Sequence, residues 1–480
     1  MTNFASTFQL PAPEKKLKIL ALCDHMLSVS GVGTQAFALF KGLILTGKYK
    51  VVSLGGAMQH SNYQVSQPHP DLIIKPVNGF GTKEQLRHLL LTEKPDVLFI
   101  FTDPRQFIWT WEMEDEIHQM CPIAYWHVWD NGPYPEYNKL WYESTDVINC
   151  LSHKTYELVK PHFAEKTNYI PHTFPKDQYF PIEPSALTHV LSEHFTGKED
   201  WFKVLWVNRN AHRKVPADVI NSFSDFLDVL EQKHGHRKAV LCLHTDPLDI
   251  EGPNLFEAAN HFNINNNVIF SSQKLPVENL NILHNVCDVL INVAKNEGFG
   301  LSTLIQMMVG KPIIALCTGG LTRQVVDYRD GSENGVAIKP LVSQLMGSQP
   351  VPYIYEDYAS HEQVVEALMK IYEMTPADKE KMKAKVLEYC EHEFNYPKMI
   401  FEWDRTIQES VASFKNKKNK STWTLKKIEN VHYKKPKTQE ESSREVLRQN
   451  NIILSKEVEA LPINLTGALM KNIILKEVHV

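Results

Sequence analysis

Leu290–Asp327 reads LINVAKNEGFGLSTLIQMMVGKPIIALCTGGLTRQVVD, and its punctuation decides the fold. The apolar run Val289 to Val293 has the length of a buried strand. The acidic glycine turn Asn296 to Gly300 follows, then a helix predicted from about Ser302 to Met308 that stops at Gly310, where a residue free to take positive φ suits a C-cap. Lys311-Pro312 resets the chain for a second apolar strand, Ile313 to Leu316, and Thr318-Gly319-Gly320 turns it into the next helix. Two glycine turns at the carboxyl ends of neighbouring parallel strands make a crevice lined with backbone N–H groups. Open α/β sheets bind ligands in such crevices, and helix N-termini there attract phosphate. Ordinary βα loops have no need of an acid inside the turn, yet Glu297 stands there.

Working outward, the same pattern recurs. Leu17 to Cys23 is a run of buried-strand type, followed by a loop with Gly31 and Gly33 that leads into a helix. Val51 to Leu54, Val97 to Phe101, Pro122 to Trp126 and Asp146 to Cys150 read as further strands, and Lys203 to Val207, Ala239 to Leu243 and Val268 to Phe270 as a second set. Strands alternating with helical stretches argue for doubly wound parallel sheets. Pro171, Pro175, Pro181 and Pro184 mark a connector, with the linker placed between about Phe180 and Trp201. Residues 341–360 read as an inserted loop near the mouth of the crevice, and Ser360 as the cap of an amphipathic helix.

Glu297, Gly298, Phe299, Gly300, Gly310, Pro312, Gly319 and Gly320 together resemble the donor-site signature of the family 4 retaining glycosyltransferases. The resemblance implies the GT-B fold: two facing Rossmann-like α/β domains, each a doubly wound parallel sheet, with C-terminal helices returning to the first. It implies boundaries at 17–185 for the acceptor domain, 186–375 for the donor domain and 376–412 for the returning helices. Residues 1–16 are then a loose lead-in and 413–480 a tail. In the family a second Glu eight positions after the first grips the nucleotide ribose. Here that position holds Ile305, with Gln306 beside it.

The site residues follow from the same likeness. Glu297 would hold donor-sugar hydroxyls, and the amides of Phe299 to Leu301 the diphosphate. Arg209 and Lys214, five positions apart in NRNAHRK, match the family's diphosphate-binding pair. Fixed cations in a desolvated cleft stabilise the charge that grows on a departing diphosphate. Gly31, Gly33, Gly298, Gly300 and Gln306 complete the donor side. His127 occupies the family's position for a substrate-contacting His at a strand's carboxyl end, and Trp126, Trp129 and Asp130 are candidate acceptor-side residues. No Asp-x-Asp pattern is evident near the proposed cleft, so no obligatory metal is expected and the co-substrate is a nucleotide diphosphate sugar.

Net charge is −5 over 480 residues, which excludes a polycation built for nucleic acid as a whole. The seven cysteines form no Cys-x-x-Cys pair, as suits buried thiols in a reducing compartment. No N-terminal signal and no apolar run of membrane-spanning length is evident, so a soluble cytoplasmic protein is expected. Lys415 to Lys437 holds nine lysines against one Glu, with Trp423 and Tyr433 interleaved. Such a run is either a solvated segment or a contact for an anionic partner such as DNA.

Chains with NRNAHRK and GSQPVPYIYED look most like versions carried by tailed phages and large DNA viruses, which places the expected location in the host cytoplasm. The leading acceptor is then a hydroxymethylated pyrimidine of DNA, with a lipid-, polysaccharide- or protein-linked glycan as the rival. A non-catalytic nucleotide-sugar binder is a second class, favoured by Ile305. An epimerase or phosphorylase is a third, weakened because no lysine stands out as a pyridoxal-phosphate anchor.

Overall fold

The computed structural model describes residues 15–28, 30–60 and 63–418; the expectations for 1–14 and for most of the tail fall outside the described residues. The first sheet contains β1 (Leu17–Asp24), β2 (Tyr49–Gly56), β3 (Ser66–His69), β4 (Leu72–Pro76), β5 (Val97–Thr102), β6 (Ile123–His127), β7 (Val147–Cys150) and β8 (Thr167–Tyr169). Their order is β3-β4-β2-β1-β5-β6-β7-β8, and every pairing is parallel except β3 with β4. The second sheet contains β9 (Phe202–Val207), β10 (Ala239–His244), β11 (Val268–Ser271), β12 (Val289–Asn292), β13 (Ile313–Leu316) and β14 (Gly335–Ile338), in the order β11-β10-β9-β12-β13-β14, all parallel.

Near-continuous apolar strands such as LKILALCD are the mark of a parallel sheet covered on both faces. Ile19, Leu20, Ala21, Leu22 and Cys23 have no exposed surface. Alternate residues feed different layers: Ile19, Ala21 and Cys23 one cluster, Leu20 and Leu22 another. In each sheet the strand order reverses at the first strand, β1 between β2 and β5 and β9 between β10 and β12. Both reversals put the crevice at the carboxyl ends of these strands.

The chain returns to the first lobe through helices Pro376–Glu393 and Tyr396–Lys418. Trp403 is fully buried, with its ring 5.2 Å from Phe99 and 5.3 Å from Trp126. Tyr396 donates a hydrogen bond to the Ala38 carbonyl at 2.7 Å, and Lys48 pairs with Asp404 at 2.6 Å. Truncating Trp403 to Ala would cost about 3–5 kcal/mol as a buried aromatic lost from a packed core. Phe394 is buried too, whereas Phe401 is 63 % exposed.

Residues 341–360 are not a plain loop. They contain an antiparallel hairpin, β15 (Val342–Met346) and β16 (Ile354–Tyr358), separate from both main sheets. Ser360 caps helix His361–Tyr372 as expected, in a reciprocal capping box with Gln363. The linker region also gains structure. Helix Thr188–His194 is flanked by Leu187 and Phe195, which pack with Leu205, Val240 and Leu290 on the second sheet.

Candidate functional site

The turn after β9 buries its last basic residue, Lys214, and lays the more exposed Arg213 along the crevice. His212–Lys214 forms one 3-10 turn, and Val215 closes it at φ 46° before Pro216 opens a long helix. A β-branched residue in the left-handed region costs on the order of 1–3 kcal/mol, strain that a well-packed surround must hold. The product is a buried Lys214 whose amine donates to the carboxylate of Glu297. Arg213 donates to the Asn296 carbonyl at 3.1 Å and lies 3.6 Å from Asp130, which the other lobe supplies. Burial pushes Glu297 up, but the charges of Lys214 and Arg213 outweigh it and hold the carboxyl below its usual range. Burial pushes the Lys214 amine down, against the pull of Glu297. A carboxylate and two cations are thus fixed together at the carboxyl ends of β9 and β12.

The glycines around them allow close approach. Gly300 has φ 92°, and a Cβ there would lie 2.5 Å from Leu321. Helix Leu301–Met308 starts at once, so its first amides have no intrahelical partner and face a site of anion-binding character. A Cβ on Gly298 would lie 2.8 Å from Asp130 Oδ1, and one on Gly31 3.0 Å from Leu301. Gly31 therefore brings the first lobe's glycine loop against the donor turn. Gly33 serves its own loop instead: its N–H donates to Ser30 Oγ, and an added Cβ would meet the His25 carbonyl at 2.5 Å.

Several expected residues are placed elsewhere. Arg209 does not join Lys214. It is more than half exposed, donates to Asp249 at 2.7 and 3.1 Å, and pairs with Glu251 at 3.0 Å. His127 is fully buried, with Nδ1 3.1 Å from the Tyr125 hydroxyl and Nε2 2.7 Å from the Tyr142 hydroxyl. Tyr125 donates onward to the Thr102 carbonyl, which assigns the proton to Nδ1 and leaves Nε2 to accept from Tyr142. Burial pushes His127 down to about 3, so it is a neutral core histidine with both nitrogens engaged.

Trp126 is also core, donating to the Ile170 carbonyl, and Trp129 is 4 % exposed. Asp130, past the strand's end, is the member of that stretch that reaches the crevice. Phe299 packs its ring 5.0 Å from His172 and 5.8 Å from Phe394. Gln306 turns inward, its Oε1 2.7 Å from His284 Nδ1, and Ile305 is buried in the core shared with the returning helices. Neither offers the carboxylate that a ribose would meet at that position.

Sequence reading missed the polar ties across the crevice. Asp357 on β16 accepts from Thr318 Oγ1 at 2.6 Å and from Asn131 Nδ2 at 2.8 Å, and its N–H donates to the Lys295 carbonyl at 2.8 Å. No local motif signals these, because the partners come from three distant turns. Among the described residues no group of three or more His, Cys, Asp or Glu is arranged to hold a metal ion, and no helix is long and apolar enough to cross a membrane.

Comparison with known proteins agrees with this architecture. Residues 193–368 match the profile of the glycosyl transferases group 1 family. No curated protein matches the chain significantly in sequence. Among solved structures, the sucrose-phosphate synthase of Thermosynechococcus elongatus is similar with TM-score 0.63 at 14 % identity, covering 83 % of this chain and 100 % of that one. Anabaena HepE, solved with UDP and glucose, is similar with TM-score 0.59 at 14 % identity, covering 82 % and 100 %. The catalytic domain of Arabidopsis thaliana starch synthase IV, solved with ADP and acarbose, gives 0.57 at 12 % identity, covering 83 % and 100 %. With the crevice lying between the two sheets, the chain has the GT-B fold, and its residues 193–368 are similar to the glycosyl transferases group 1 family.

Proposed function

We propose that this protein is a retaining glycosyltransferase that moves a sugar from a nucleoside diphosphate sugar to a hydroxyl acceptor. The observation that carries the reading is the buried Lys214–Glu297 pair, flanked by Arg213 and Asp130 beside the N-terminus of helix Leu301–Met308. As the bond from the anomeric carbon to the β-phosphate oxygen breaks, negative charge grows on that phosphate. Lys214, Arg213 and the first helix amides stabilise it in a desolvated cleft. Glu297, held ionised, accepts hydrogen bonds from donor-sugar hydroxyls. The acceptor oxygen attacks from the leaving-group face and its proton passes to the departing phosphate, which retains the anomeric configuration.

A hydroxymethylated pyrimidine in phage DNA is the acceptor that the lysine run 415–437 supports, although most of that run lies outside the described residues. A lipid-, polysaccharide- or protein-linked glycan is favoured by the first lobe's crevice edge. Asp24, Asp103 and Asp130 stand at or just past the ends of β1, β5 and β6, carboxylates of the kind that accept hydrogen bonds from sugar hydroxyls. Incubating the protein with a panel of nucleotide sugars and following slow donor hydrolysis tests the reading and names the sugar. Donor binding without hydrolysis or transfer would instead favour a non-catalytic binder. Transfer to hydroxymethylated DNA that weakens steeply with salt, and on removing residues 419–480, supports the first acceptor; salt-insensitive transfer to a small glycan supports the second.

A further inference from the structure

The inserted hairpin belongs to the second lobe by sequence but makes hydrogen bonds to both lobes, several of them to the first. The Tyr355 N–H donates to the Gly132 carbonyl at 2.7 Å, and Asn131 Nδ2 donates to the Tyr355 carbonyl at 3.2 Å. Tyr137 donates to the Tyr353 carbonyl at 2.9 Å, its ring 4.9 Å from that of Tyr353, and the Glu136 N–H donates to the Tyr353 hydroxyl. The outer strand β15 is exposed along its length, while Asp357 on β16 is buried.

Asp357 is where these contacts converge on the crevice. One carboxylate oxygen accepts from Ser343 within the hairpin. The other accepts from Thr318, in the Gly-Gly turn, and from Asn131, next in sequence to Asp130. Its backbone N–H donates to Lys295, two residues before Glu297. A hairpin serving only its own fold would satisfy that second oxygen locally. Here that oxygen joins the Gly-Gly turn on the donor side to the opposite lobe, and the backbone N–H adds a second donor-side turn.

We propose that Asp357 is a positioning residue and that its hairpin is an interlobe latch, holding Asp130 at a set distance from Arg213 and Gly298. The latch itself is a statement about geometry; its effect on transfer rests on the glycosyltransferase reading above. Asp130 lies 3.6 Å from Arg213, so a small shift of its loop changes what the substrate meets, and misplacement by about 1 Å can cost about a hundredfold in rate.

The test uses the full chain carrying nitroxide labels at Leu91→Cys on the first lobe and Gln232→Cys on the second, both exposed positions. Asn131→Ala and Asp357→Ala should each broaden the interlobe distance distribution. Each should lower kcat for transfer by about tenfold or more while leaving the donor KM within about threefold. The double variant should be no worse than the poorer single, Asp357→Asn should recover part of the rate, and Ser343→Ala should match wild type. An unchanged distance distribution in Asn131→Ala overturns the latch, and a broadened one with unchanged kcat overturns the positioning role. Should the wild-type chain turn over no nucleotide sugar, the glycosyltransferase reading falls, while the distance measurement still decides the latch.

Discussion

Asp130 and Glu297 belong to different lobes and meet over one glycine. A Cβ added to Gly319 would lie 2.2 Å from the Asp130 carbonyl oxygen and 2.1 Å from that of Glu297. The Gly-Gly turn is thus the point where the two halves of the crevice touch, and the adjacent Gly320 N–H donates to Glu297 at 2.8 Å. Gly319 also has φ 46°, a conformation that an L side chain takes at a cost. Gly319→Ala should therefore lower thermal stability by roughly 1–3 kcal/mol and sharply reduce transfer, as read by calorimetry and a donor-turnover assay.

Arg213 and Arg209 give opposite expectations. Arg213 sits against Asn296 and Asp130 in the crevice, so Arg213→Ala should cost about 3 kcal/mol of barrier, a hundredfold or more in kcat. Arg209 is occupied by Asp249 and Glu251 on an exposed loop, and Arg209→Ala should stay within about threefold of wild type. Steady-state kinetics on both variants checks the ranking.

Much of the architecture was legible in sequence. The strands that were read match to within about two residues because buried parallel strands are written as short apolar runs between turns, whereas β3 and β4 went unread. The strand–turn–helix around Glu297 was legible as well, since Gly298 and Gly300 punctuate the end of an apolar run. What failed has a common cause. His127 and Trp126 sit on opposite faces of β6, but helices cover both faces, so neither orientation leads out. Only residues past the strand's end, such as Asp130, reach the crevice. Arg209 and Arg213 are equally basic in sequence, and the left-handed Val215 that turns one inward leaves no pattern. The hairpin was read as a loop because β15 is exposed at every residue and shows no buried face; its contacts to Asn131, Thr318 and Lys295 come from far away in the chain.

Acid should destabilise the fold through its buried histidines. Burial pushes His127 and His172 down to about 3 and His284 to about 4. Their unfolded values lie near 6.5, so below that pH the unfolded chain binds protons that the folded chain does not. Stability is retained above about pH 6.5 and falls as the pH drops, by about 2 kcal/mol per histidine at about pH 5. In His127→Gln, denaturant titrations at pH 7 and pH 5 should show a smaller loss than wild type, by about that amount.

Ile305 offers a test of how this chain departs from the family pattern. It is 5 % exposed, in a core shared with the returning helices. Ile305→Glu should fold with a loss of more than about 3 kcal/mol, because an unpaired carboxylate would be buried. It should gain no donor affinity, as read by titration with whichever nucleotide sugar the panel shows to be turned over.

The double variant Lys214→Met/Glu297→Gln removes both charges of the buried pair while nearly keeping its volume, an exchange that buried ion pairs tolerate in stability. Donor hydrolysis by this variant, measured beside its melting temperature, decides whether the buried pair carries the chemistry. The expected result is a melting temperature near wild type with turnover reduced by about a thousandfold. Wild-type turnover from a folded variant would contradict it.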